Sequence, residues 1–125
     1  MNNFQGVGTD IIEIERFEKT LKRSPKITEK LFTSKENSYC LSKGKNKALH
    51  LAGRFAAKEA IVKALGEGFG RDISFLDLEI LNNKKGQPEV FFSEKLKQRF
   101  PKIKVLVSIS HSKTVAVAVA FASAI

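Results

Sequence analysis

One cysteine, Cys40, stands in 125 residues, which excludes an intramolecular disulfide framework and any multi-cysteine zinc site. Without a sequence-near base it reads as a partly buried packing residue. Tryptophan is absent and tyrosine occurs once, at Tyr39. A base-stacking surface would therefore rest on the ten phenylalanines, most of them at apolar-periodic positions that belong in a core. Three prolines and no low-complexity tract or repeat give no place for a linker, so residues 1–125 read as one domain. The longest apolar run, residues 115–122, is eight residues against the roughly 20 of a membrane-spanning helix. The opening MNNFQGVGTD has neither the basic flank nor the apolar run of a signal peptide. With the lone thiol, this points to a soluble cytoplasmic protein.

Acidic residues are scarce: 13 Asp and Glu against 22 Lys and Arg, a net charge of +9. Residues 16–47 hold ten basic and three acidic side chains, +7 of that total. An acidic partner is implied, whether nucleic acid, anionic lipid, a phosphorylated small molecule or an acidic protein, and it should meet this first half.

Periodicity predicts a short strand at 4–7, a turn at Gly8-Thr9-Asp10, and a helix from Ile12 closed by Pro25. Short helices follow at 28–32 and 34–41, the latter with half a capping box at Ser34. Residues 47–65, rich in Ala and Leu, form the strongest helix signal and stop in Gly66-Glu67-Gly68-Phe69-Gly70. Strands are predicted at 73–81 and 88–92, a short helix at 93–100, and a hairpin over 103–122. Its second strand, apolar on both faces with four alanines on one, should be central and let another element approach closely. Helices early and strands late indicate an α+β fold with a small antiparallel sheet.

Asp10 is either a turn or N-cap aspartate or an oxygen ligand. GVG is only a fragment of a dinucleotide-binding pattern. Glu59, among Ala56, Ala57, Ala60 and Ile61, is either an i,i+4 partner of Lys63 on a solvated face or a buried carboxylate needing a cation. Arg54 and Lys58 read as helix-surface cations. His111, among Ser110, Ser112 and Thr114, is either solvated or a phosphate ligand or proton carrier. His50 has no companion at metal-ligand spacing and reads as structural. Two carboxylates without a Cys or His cluster suit Mg²⁺ better than zinc.

Three segments together, GVGTDIIEIERF, AGRFAAKEAIVKALGEGFG and VSISHSKTVAVAVA, resemble the holo-acyl-carrier-protein synthases, the short phosphopantetheinyl transferases of fatty-acid biosynthesis. ISFLDLEILNNKKGQPEV extends the match over nearly the whole chain. The resemblance implies a trimeric phosphopantetheinyl-transferase fold with active sites between subunits. It implies transfer of the 4′-phosphopantetheine arm of coenzyme A to a serine of apo acyl carrier protein, releasing adenosine 3′,5′-bisphosphate. It places Mg²⁺ on Asp10 and Glu59, and Lys63 beside the pyrophosphate. Arg54, Gly66 and His111 fall near the coenzyme, and Arg16 and Arg23 on the carrier-binding surface. The base that takes the serine proton stays open between a metal-bound water and Glu59. The alternatives are a small basic nucleic-acid-binding protein and an inactive scaffold of the same fold.

Overall fold

A computed structural model describes residues 4–125; part of the opening segment read above, residues 1–3, lies outside them. Ten α-helices and β-strands follow in order among the described residues. They are β1 (Phe4–Glu13), α1 (Ile14–Arg23), α2 (Ile27–Leu31), α3 (Ser34–Leu41), α4 (Lys47–Ala64), β2 (Leu78–Asn82), β3 (Pro88–Phe92), α5 (Glu94–Arg99), β4 (Ile103–His111) and β5 (Val115–Ala124). One antiparallel sheet has the order β1-β5-β4, and β2-β3 form a separate hairpin. The α+β expectation and the central position of β5 both hold.

The alanine face of β5 does what its composition implies. Ala118, Ala120 and Ala122 are buried against Ala56, Ala57, Ala60 and Ala64 of α4, so small side chains on both surfaces let helix and sheet lie close. On β1 the approach is closer still. A Cβ on Gly8 would lie 2.0 Å from the Ala60 carbonyl oxygen, and one on Gly6 2.1 Å from that of Ala64. This corrects the predicted turn at Gly8-Thr9-Asp10. The glycines serve helix contact, not a bend, and β1 runs unbroken from Phe4 to Glu13. Asp10 is thus a mid-strand residue opposite Ala118, neither an N-cap nor a turn aspartate.

The second layer is built on charge as well as apolar burial. Lys58 and Glu36 are both fully buried. The Lys58 ammonium donates to Glu36 Oε1 at 2.8 Å and to the carbonyls of Leu31 and Phe75. Glu36 Oε2 accepts from the Ile80 N–H. Lys58 is therefore no surface cation; an ammonium with all three protons satisfied ties α2, α3, α4 and β2 together. The helix cap upstream also differs from the prediction: Thr33, not Ser34, caps α3, in a complete box with Glu36.

The strand expected at 73–81 begins only at Leu78, because Ser74 and Asp77 cap a 3₁₀ turn over Phe75–Asp77. Cys40 is wholly buried; burial first, with Glu36 adding, pushes its thiol up to about 11 against the pull of nearby cations. Phe4, Phe91 and Phe121 are exposed. Among the described residues no helix is long and apolar enough to cross a membrane.

Candidate active site

Side chains on β1 alternate across the sheet, so Gly6, Gly8 and Asp10 share the face that α4 covers. The glycines seat α4 on β1 at Ala60 and Ala64, and that seating carries their helix neighbours Glu59 and Lys63 to Asp10. Lys63 donates to the Thr9 carbonyl at 3.0 Å and lies 3.4 Å from Asp10 Oδ1. The bland reading of Glu59 and Lys63 as an i,i+4 pair fails here, since the lysine turns to the strand. Asp10 Oδ2 is buried with no hydrogen-bond partner among the described residues. Glu59 is half-buried; burial first, then the Asp10 carboxylate, hold its carboxyl above the usual range, with Lys63 pulling the other way. Two carboxylates repelling each other, one with an orphaned oxygen, fit a hard divalent cation bound through oxygen.

A groove beside Glu59 runs between α1 and α4. Arg16, Phe17, Leu31, Phe55 and Phe75 line it with Glu59, so the cationic helix and Glu59 open on one cleft. Arg16 is exposed, 3.9 Å from Glu13, and Arg23 is exposed at the end of α1. Gly66, in the left-handed region at φ +75°, follows α4 and shares a recess with Lys63 and Gln5.

Arg54 and His111 form a second group. Arg54 is buried, not on the helix surface, and donates to the Ile80 carbonyl at 3.2 Å and to Asn82 Oδ1. It lies 4.4 Å over the Tyr39 ring and lines a recess with His111 and His50. The two groups occupy different flanks of α4, one toward β1 and the other toward β2 and the end of β4. Sequence reasoning did not place Tyr39, Asn82 or His50 beside Arg54 and His111. His50 carried one usable signal, its place four residues before Arg54, one turn along the same helix face. The long-range partners Tyr39 and Asn82 carried none.

Fold and site together define a class. The family model described as the 4′-phosphopantetheinyl transferase superfamily matches residues 6–120, and the chain belongs to that superfamily. Holo-(acyl-carrier-protein) synthase of Protochlamydia amoebophila is 54% identical over 107 residues, covering 85% of this chain and 87% of that protein. The synthase of Chlamydia caviae is 49% identical over 115 residues, 91% of this chain and 93% of its own. Among solved structures, the synthase from Bacillus anthracis in complex with CoA (3′,5′-ADP) matches with TM-score 0.85 and 39% identity, covering 98% and 99% of the two chains. The Helicobacter pylori synthase in complex with coenzyme A matches with TM-score 0.85 and 37% identity, covering 94% of this chain and 99% of its own. Within the superfamily this chain is an enzyme of the holo-(acyl-carrier-protein) synthase family.

Proposed function

We propose that this chain transfers the 4′-phosphopantetheine arm of coenzyme A to a serine hydroxyl of apo acyl carrier protein, releasing adenosine 3′,5′-bisphosphate in the cytoplasm. The observation that carries the reading is the convergence of Glu59 and Lys63 on Asp10, whose Oδ2 is buried without a partner among the described residues. Asp10 and Glu59 are the residues that would hold Mg²⁺. Bound there, the ion supplies charge neutralisation to the pyrophosphate during transfer.

The chain's own groups supply the rest. The Lys63 ammonium has a third donor beyond its contacts to Thr9 and Asp10, available to a departing phosphate oxygen. It is about half exposed, so incoming phosphate reaches it without rearrangement of the core. Glu59, with its raised proton affinity, is a candidate acceptor for the serine proton, alongside water at the carboxylates. Arg54 and His111 would meet the coenzyme's phosphates, Gly66 its passage beside Lys63, and Arg16 and Arg23 the acidic carrier.

The separation of the two groups across α4 supports a site completed by a neighbouring copy. A surface for that copy is at hand. Val7, Phe121 and Leu106 are paired in register across the sheet's outer face, and all three are exposed, as is Ile11. An exposed apolar row of this kind favours a symmetric assembly, and we read it as the trimer surface. The test is direct: incubate the protein with apo acyl carrier protein, coenzyme A and Mg²⁺, then follow the carrier by mass spectrometry. The phosphopantetheine mass increment is expected; its absence with a folded protein and a competent carrier overturns the reading.

A further inference from the structure

The recess between α3, α4 and β4 holds a histidine that the reaction, as read above, leaves unused. His50 lies one turn before Arg54 on α4. Its ring is 6.3 Å from that of His111 and 5.8 Å from Tyr39. Lys43 and Arg54 both stand over the Tyr39 ring, at 4.7 and 4.4 Å. Lys43, α4 and the end of β4 thus gather basic groups beside Tyr39, and among the described residues no Asp or Glu lines the recess.

The groups facing His50 are Arg54 on its own helix, Lys43 after α3, His111 at the end of β4 and the Tyr39 phenol on α3. None is anionic at neutral pH. Burial first, then Arg54, Lys43 and His111, hold His50 below its ordinary range, so it stands neutral near pH 7. At about 220 Å³ the recess is smaller than the roughly 300–1,000 Å³ of a pocket for a whole drug-sized ligand. It suits one polar substituent of a larger molecule. A phosphate monoester, with about −1.5 to −2 charges at pH 7, brings the anion this cationic wall lacks.

We propose that His50 joins Arg54 and His111 in binding a phosphate monoester dianion, and takes up one proton from solvent as the dianion enters. The inference rests on the coenzyme reading, in which the monoester is the 3′-phosphate of coenzyme A. His50 is then a specificity residue: it favours the 3′-phosphorylated coenzyme over the dephospho form and makes that preference depend on pH.

The linkage has a definite sign. A histidine whose pKa rises on binding strengthens binding at low pH. Affinity then falls by up to about tenfold per pH unit between the free and bound pKa and levels off above. The ligand's own second ionisation, near pH 6, acts in the opposite direction but equally on every variant. The measurement is therefore the ratio of coenzyme A affinities of wild type and His50→Gln from pH 5.5 to 8.5, by calorimetry with Mg²⁺. Histidine ring NMR titrations accompany it, without ligand, with coenzyme A and with 3′-dephospho-coenzyme A.

Expected are a wild-type advantage that shrinks with rising pH and an upward move of the His50 pKa with coenzyme A but not with the dephospho form. Parallel pH profiles for the two proteins, or an equal His50 shift with both ligands, overturn the inference and leave the coenzyme reading intact. If neither ligand binds wild type at any pH, the coenzyme reading falls as well.

Discussion

The Lys63 ammonium lies 3.4 Å from one oxygen of Asp10, and the other, Oδ2, is buried with no partner among the described residues. Folding leaves such an atom unpaired at a cost of roughly 1–3 kcal/mol. Beside a second carboxylate, such an oxygen is open to a water or a cation.

Asp10→Ala or Glu59→Ala should therefore abolish transfer, by at least about 100-fold in kcat/KM. Excess chelator should do the same to wild type. The fold should survive: Asp10→Ala gives up only the part-exposed contact of Oδ1 with Lys63 and relieves the unpaired Oδ2, so it is expected to keep or raise the Tm. Retained activity in either variant, measured on apo carrier, would count against the site. A collapse of the Tm on removing Asp10 would make it structural instead.

The glycines that seat α4 make a sharper structural test. Gly8→Ala puts a methyl 2.0 Å from a backbone oxygen, where no rotamer change relieves it. The loss should reach or exceed the upper end of the roughly 1–3 kcal/mol typical of overpacking. Gly68→Ala, with nothing within 4 Å of its added carbon, should be near neutral. Urea titration of the two variants checks the pair; similar midpoints would mean that β1 and α4 do not approach as described.

These glycines also mark where the sequence was legible and where it was not. The periodicity of α4 and the alanine alternation of β5 are local patterns, so element type, the central strand and the α+β class were readable. Gly8-Thr9-Asp10 reads as a turn from local sequence; only Ala60 and Ala64, some fifty residues away, make it a strand under a helix. The same holds for charge. Lys58 looks like any helix lysine until Glu36 meets it at 2.8 Å, and Arg54 until Asn82 and Tyr39 do. Asp10 and Glu59 were nameable as candidate oxygen ligands from local sequence, and the family resemblance supplied their joint role with Lys63. Their contact required the tertiary fold.

Asp77 gives a pH-dependent test away from the site. Burial alone would raise its pKa, but the Ser74 N–H, the Ser93 hydroxyl and Lys95 together hold the carboxyl below its usual range. A depressed carboxylate stabilises the fold above its unfolded pKa, near 3.8, and that contribution disappears as pH falls through the lower folded value. Asp77→Asn should thus cost roughly 1–3 kcal/mol at pH 7, with the gap to wild type closing in acid below about pH 4. A gap unchanged between pH 7 and pH 3 would show that shape, not charge, matters there.

The outer sheet face bears on assembly. Light scattering of wild type at micromolar concentration should give three times the chain mass. Leu106→Arg, placing a charge beside Phe121 in the exposed row, should lower that mass and the activity together. Asp10, Glu59 and Lys63 would be untouched in such a variant, so lost activity would mark a contribution from the neighbouring copy. An active monomer, wild type or variant, contradicts a shared site.

Docking should separate from chemistry on α1. Arg23 lies at the C-terminal end of that helix, outside the groove that Arg16 shares with Glu59. Reversing Arg23 to Glu should therefore touch the carrier and not the coenzyme. Arg16→Glu adds a like-charge contact with Glu13, 3.9 Å from the present guanidinium, so its effect should be the larger. Each exposed pair is worth at most about 1 kcal/mol, which limits each rise in carrier KM to about fivefold. Because such charges act mainly on association, the salt dependence of kcat/KM should flatten as the rise appears. Coenzyme KM should stay within about twofold of wild type for Arg23→Glu, given the modest reach of a screened surface charge. A nucleic-acid binder would instead lose RNA or DNA affinity and show no carrier effect. Carrier kinetics unchanged at low salt in both variants would move the docking surface elsewhere and leave the assignment of the enzyme standing.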